Sequence, residues 1–412
     1  MRTRLSVNAV ALLWAAGASV FCAVPGPSAM AGRHTVPAGH PRLLGSRERL
    51  EQEYRTRAAP ALNLAGAGGG WAEGYYIHYW LYEWLFFCEA ARWCEGIDYY
   101  EDARDFFAHR AVASMFEMYP GIGIYHSRRP VPMGDGGHYD AFGSRHDVNY
   151  HLRSIAHSTI LVHDPDETWP QMRAGPVSGN DGGQWHPWPH HNGAVVDADA
   201  WEQGRELYDI ADILAFEDRG AYLYVAGDCT RAYSPEKLSL FTRQIVFLRP
   251  DTFVVFDRVR STDAGFRKTW VLQAMKVPEQ TPEGLVVTNG PGRLFVQTLL
   301  PEEADVGLVS GPQLYSYEGQ TYPPARDTGP APECRIEISP SVAAEEDCFL
   351  HVLTAADSDT GSVAIAAVEV QDAQIVVTVG PVTIRFKTEA QGGDILLSRR
   401  RTEFTDAVQQ TQ

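Results

Sequence analysis

The chain has 412 residues, with 35 basic and 52 acidic side chains and a formal net charge of −17 at pH 7. That length suits two or three domains. The acidity argues against nucleic acid or an anionic membrane as the main partner.

Residues 1–31 read as a secretory signal peptide. Arg2 and Arg4 form a basic start, Leu5 to Val24 an apolar stretch, and Ala29-Met30-Ala31 a small-residue cleavage pattern. This predicts a secreted or periplasmic protein. Cleavage would remove Arg2, Arg4 and Cys22 but no acid, making the chain more acidic still. No later apolar run is long and clean enough to span a bilayer, because the aromatic run from Tyr75 to Trp93 is interrupted by His78, Glu83, Glu89 and Arg92.

Residues 40–57 predict a short amphipathic helix, and AGAGGGW (65–71) a glycine-rich turn. Tyr75, Tyr79, Tyr82 and Phe86 fall on one helical face, so 72–93 is a predicted helix, followed by another over 98–119. Glu73, Tyr75, Tyr76, His78 and Tyr79 sit at the loop–helix junction. They supply acid–base groups if their pKa values are tuned, or an aromatic core if not.

HDVNYHLRSIAHSTILVHDP (146–165) has four histidines beside an arginine and two aspartates at 147 and 164. The alternation predicts a strand from 157, with His157, Thr159 and Leu161 on one face and Ser158, Ile160 and Val162 on the other. His157 is either a zinc ligand through its neutral imidazole or a histidine bonded to backbone. Asp147 and Asn149 bind ligand or shape a turn. Arg153 either grips a carboxylate or pairs with Asp147 or Asp164. In GNDGGQWHPWPHHNG (179–193), His190 and His191 lie in a loop-like setting. Trp185, Trp188 and Trp201 either stack on sugars or cover a core edge.

Beyond residue 200 come short β-branched and aromatic runs, separated by Pro, Gly and Asp turns. Examples are LSLFTRQIVFL (238–248), DTFVVFDRVRS (251–261), CFLHVLTAA (348–356) and VTIRFKT (382–388). They predict an antiparallel β-sandwich. Cys88 and Cys94 point to different helix faces. Cys334 and Cys348 flank a predicted hairpin and are placed to form a disulfide. There is no C-x-x-C, G-x-S-x-G, Walker or dinucleotide motif.

Several segments together resemble the heparinase II/III family of polysaccharide lyases. They are HPRLL (40–44), GGWAEG (69–74), YDAFGSRHDVNYHLRSIAHSTILVHDPDE (139–167), GNDGGQ (179–184) and the run 221–259. The resemblance implies a helical toroid followed by a β-sandwich, and cleavage of uronic-acid polysaccharides by β-elimination. It implies a zinc ion with His157 as a ligand, and an active-site tyrosine that maps onto Tyr75 or Tyr76. The family's H-x-H-x-D segment has no counterpart here, so the resemblance leaves the catalytic histidine and one zinc ligand missing.

The expectation is an α+β multidomain chain: an incomplete α/α toroid over 32–138, then a β-sandwich over 139–412. Tyr76 and Glu73 are the catalytic candidates. Arg153, Asn149 and Tyr75 are the substrate-binding candidates, and His157 the zinc ligand of an incomplete set. The expected partner is an acidic polysaccharide. The rival reading is a glycan-binding or degenerate remnant without catalysis. A sandwich lacking its first strands would expose unpaired edges, which predicts self-association.

Overall fold

The computed structural model describes residues 51–64, 85, 88–89, 91–92, 96–104, 106, 140–141, 143–169, 178–184, 199, 202–203, 210–327, 331–371 and 373–407. The chain divides into two units, Met1–Ala111 and Val112–Gln412.

In the first unit, the described residues form helical pieces. One turn over Tyr54–Ala58 runs into the helix Ala59–Leu64, and a further turn covers Tyr99–Ala103. Tyr54, Ala58, Ala59, Cys88, Ala91 and Tyr99 pack into a small core. The Tyr54 hydroxyl donates to the Tyr99 carbonyl at 2.6 Å. A toroid is not seen among the described residues. Glu73, Tyr75 and Tyr76 lie outside them.

The second unit is built from antiparallel strands: β1 (Ile160–His163), β2 (Asp212–Asp218), β3 (Tyr222–Asp228), β4 (Leu238–Leu248), β5 (Thr252–Ser261), β6 (Arg267–Ala274) and β7 (Glu279–Thr281). There follow β8 (Gly284–Asn289), β9 (Gly292–Leu300), β10 (Ala304–Ser310), β11 (Ser316–Tyr317), β12 (Gln320–Thr321) and β13 (Cys334–Pro340). The last are β14 (Glu346–Asp357), β15 (Ala366–Gln371), β16 (Gln374–Val379), β17 (Val382–Lys387), β18 (Gly393–Leu397) and β19 (Arg400–Glu403).

An eight-stranded sheet, in order β2-β3-β4-β5-β14-β9-β8-β7, is the middle layer. Side chains alternate along a strand, and β14 shows which face meets what. Phe349 and Leu353 enter one core with Trp270, Leu272, Ile336 and Ile338 of the four-stranded sheet β1-β6-β13-β10. Leu350 and Val352 enter a second core with Ile375, Val377, Ile384, Phe386 and Ile395 of the sheet formed by β15 to β19. The sandwich expected from sequence is therefore present, with a third sheet closing its other side. Burial on both faces explains the consecutive apolar residues 245–248 in β4 and 253–256 in β5. Gln297 on β9 holds the third sheet by its amide: Oε1 accepts from Ala366 N at 2.9 Å and Nε2 donates to Ala364 O at 3.0 Å.

Two expectations need correction. Cys334 and Cys348 do not flank a hairpin: β13 lies in the four-stranded sheet and β14 in the middle sheet, and both thiols are free. The chain changes layer between them, so strands that are neighbours in sequence are not neighbours in hydrogen bonding. The strand expected from His157 begins at Ile160 instead. A one-turn 3-10 helix, Ser154–Ala156, ends at His157, and Ser158 and Thr159 cap the free edge of β6. Val271 N donates to Thr159 O at 2.8 Å, and Gln273 N to Ser158 Oγ at 3.1 Å.

Candidate functional site

The segment from Asp140 to His163 carries the most distinctive residues, and it folds around its own side chains. The Asp140 carboxylate is buried and accepts from Ala141 N (2.7 Å), Ser144 Oγ (2.5 Å) and Ala325 N (2.9 Å). Burial opposes its charge, yet these donors hold its carboxyl below the ordinary aspartate range. The turn that follows leads into the short helical turn Asp147–His151. Asp147 takes Gly143 N at 2.9 Å on Oδ2, while its buried Oδ1 has no partner among the described residues. Burial accordingly raises its pKa.

Asn149 faces inward. Its Oδ1 accepts from Ser178 N at 2.7 Å, and its Nδ2 donates to Arg145 O at 3.1 Å. The side chain ties two segments of the fold together and is buried rather than turned to a ligand.

Arg153 is buried too. Its guanidinium forms an ion pair with Asp181, donating from both Nε and Nη2, and lies 3.7 Å from the centroid of the Trp169 ring. The partner is neither Asp147 nor Asp164. It comes from GNDGGQ, the second segment of the resemblance. The other Asp181 oxygen accepts from Ile155 N at 3.0 Å. Burial works against the Asp181 charge, but the guanidinium and the amide outweigh it and lower its pKa. In this placement the guanidinium is bonded through Nε and Nη2 and covered by an indole, while its buried Nη1 has no partner among the described residues.

Behind Trp169 lies a second buried pair. Lys237 donates to Glu167 at 2.6 Å and to Gly183 O at 2.8 Å, with its ammonium 5.2 Å from the Trp169 ring centroid. Burial pushes Glu167 up and Lys237 down, each toward its neutral form.

GNDGGQ fits this arrangement closely. Gln184 N donates to Ser154 Oγ at 2.8 Å, and Val162 N to Gly182 O at 2.7 Å. Gly182 has φ +73°, in the left-handed region. A Cβ at Gly183 would lie 2.4 Å from Ser154 Cβ. The two motif segments are thus one interlocked piece.

On its other side stands an aromatic and histidine group. His146 Nδ1 lies 2.6 Å from Tyr322 O, and its ring stacks on Tyr150 with centroids 5.5 Å apart. Tyr315 meets Tyr150 edge-on at 5.0 Å. Burial pushes the Tyr150 phenol up to about 12, with Arg335 opposing. The gap beside these rings, lined by Tyr150, Gln273, Leu314 and Tyr315, has no room for even a water molecule and so is not a ligand pocket. Nearby, His163 pairs with Glu318 at 3.0 Å, and Glu318 also accepts from Asn180 N at 2.8 Å.

His157 is half-buried, with Nε2 3.1 Å from the His151 carbonyl oxygen. Among the described residues, no three His, Cys, Asp or Glu side chains converge where a metal ion could sit. Those residues do not fit a zinc site. His190 and His191 lie outside the described residues.

Asp181, Glu167 and Lys237 are plain in the sequence, but no spacing there pairs them. Trp169, Tyr315, Tyr322 and Glu318 carry no local signal of their role. Only the repeated glycines of GNDGGQ signalled close backbone approach.

No protein-family model matches the chain, and no curated protein matches it. Solved structures with partial likeness include heparan sulfate lyase HepC from Pedobacter heparinus, at 12% identity over 49% of this chain and 29% of that one, TM-score 0.32. A heparinase III gene product matches at 10% identity over 57% and 31%, TM-score 0.37, and another heparinase III at 14% over 43% and 27%, TM-score 0.33. The chain thus spans less than a third of the length of each. With TM-scores this low, the likeness carries no argument about fold or activity. Among the described residues, no helix is long and apolar enough to cross a membrane.

Proposed function

We propose that the chain is a secreted or periplasmic polysaccharide lyase of the heparinase II/III type, acting on uronic-acid-containing glycans. The observation that supports this reading is the interlock. RSIAH and GNDGGQ, two of the segments that carry the resemblance, join through Arg153–Asp181 and Ser154–Gln184, and HDVNY is tied by Asn149 to Ser178, the residue just before GNDGGQ. Residues that resemble the family's motifs also work together as one unit.

In β-elimination a base takes the proton α to the uronate carboxyl. The electrons of the broken C–H bond become the new C=C bond, and the glycosidic C–O bond breaks. The departing oxygen receives a proton from an acid. Tyr76 is assigned as that acid, with Glu73 and Tyr75 beside the sugar. Arg153 and Asn149 act as supports that hold the shape of the segment.

A second reading, glycan binding without catalysis, is favoured by one specific observation. Arg153, Asn149 and His157 all meet partners inside the chain. One experiment separates the two. The protein is incubated with heparin, heparan sulfate, hyaluronan, chondroitin and alginate, and the ultraviolet absorbance of unsaturated uronate is followed. The lyase reading expects a rise on at least one substrate, and loss of that rise in Tyr76→Phe. Silence on all five, together with retention on one of the immobilised glycans, would leave the binding reading.

A further inference from the structure

Arg399, Arg400 and Arg401 are the only run of three consecutive basic residues in a chain of net charge −17. They sit where β18 turns into β19, at the rim of the third sheet. All three are exposed. Leu397 pairs with Arg400, so the turn has two central residues, Ser398 and Arg399, with φ of 47° and 71°. A two-residue turn of this hand is normally built from Asn and Gly, which tolerate the left-handed region. Arginine does not, and a strained non-glycine residue at an exposed tip points to a use for its side chain.

Counter-charge is scarce there. Asp394 Oδ1 takes Arg385 Nη1 at 2.9 Å and Arg401 Nε at 3.3 Å, so one carboxylate serves two guanidiniums. Among the described residues, no carboxylate lies within ion-pair distance of Arg399 or Arg400. Other exposed arginines have partners: Arg249 pairs with Asp218 and Arg260 with Glu346, while Arg145 bonds to Gln320 and Arg267 to Ser339.

We infer that the β18–β19 tip is a docking point for an anionic polysaccharide chain, gripping its carboxylates or sulfates through Arg399 and Arg400. Guanidinium forks bind such groups in pairs of parallel hydrogen bonds. The choice of a glycan rests on the proposed function, but the tip is a separate feature from the motif segments. It would hold the polymer to the protein without taking part in any bond cleavage.

The test uses the full chain on immobilised heparin and immobilised alginate, eluted with a salt gradient. Arg399→Asn/Arg400→Gln is compared with Arg249→Gln/Arg260→Gln, which removes the same charge from paired sites. The tip variant is expected to elute at lower salt, with affinity reduced about tenfold and a flatter salt dependence. The control should elute like the parent. Asparagine suits the left-handed turn, so the tip variant should also melt no lower than the parent. Lost retention could then not be put down to misfolding. Equal retention of both variants, no retention of the parent, or parent binding only to anionic phosphatidylserine vesicles would each overturn the inference. Ultraviolet turnover of a short oligosaccharide, too small to bridge to the tip, should be the same in parent and tip variant. That readout reports on the lyase reading separately.

Discussion

Asp181 shows what a single side chain does in this fold. It is the sole carboxylate bonded to the buried Arg153 guanidinium among the described residues, and it also fixes the Ile155 amide. Asp181→Asn should therefore destabilise the protein by about 3–5 kcal/mol, because it leaves a buried charge uncompensated. Replacing both partners together, as Arg153→Met/Asp181→Leu, should cost less than either single change. Urea denaturation curves of the three variants would check this, and a loss below about 1 kcal/mol for Asp181→Asn would refute the pairing argument. The sequence shows both residues plainly, but they are 28 positions apart. No spacing rule joins them, since the link is made by two loops meeting across a sheet end. Asp147 and Asp164, nearer in sequence, were the natural guesses. His157 likewise sits in an apolar alternation that reads as strand, while the real strand begins three residues later because Ser158 and Thr159 cap β6.

At the scale of elements, strands rich in β-branched and aromatic residues were legible. β4 coincides with LSLFTRQIVFL, and β17 lies within VTIRFKT. β2 (DILAFED) and β19 (RRTE) were not, because their residues are charged. Glu217 on β2 is tolerated in the interior because it accepts from the Tyr222 hydroxyl at 2.8 Å and pairs with Arg219. The GNDGGQ loop belongs to the same scale. Gly183→Ala would drive a methyl into Ser154, whose hydroxyl is already bonded, and should cost about 1–3 kcal/mol. Gly361→Ala has nothing within 4 Å of the new carbon and no left-handed backbone to strain. It should be neutral or stabilising by up to about 1 kcal/mol. Thermal melts of the pair would compare them directly, and equal effects would mean the loop is looser than described.

For the whole molecule, the three stacked sheets put a histidine in the dark. His351 on β14 lies against Trp270 with ring centroids 3.9 Å apart, and burial pushes its pKa down to about 3. Between its free value near 6.5 and about 3, the unfolded chain takes up a proton that the fold refuses. Stability should therefore fall as pH drops through that window. Asp181, lowered, adds to the loss below about pH 4 as its carboxylate protonates. Glu167, raised, acts the other way: its contribution is full in acid and is lost as pH rises through its folded pKa. His351→Gln should flatten the melting-temperature profile between about pH 6.5 and 4.5. An unchanged profile would show that other groups set the acid limit. The same architecture has a consequence in time. The motif segment is synthesised early, yet the residues that finish it arrive late: Lys237, Arg243, Gln273, Tyr322 and Arg335. His146 and the carbonyl that receives its ring are 176 residues apart, so at about 5–20 residues per second the newborn segment waits roughly 10–35 s for its partner. Throughout that interval its charges and aromatic rings, buried in the finished fold, are open to whatever chaperone holds the growing chain.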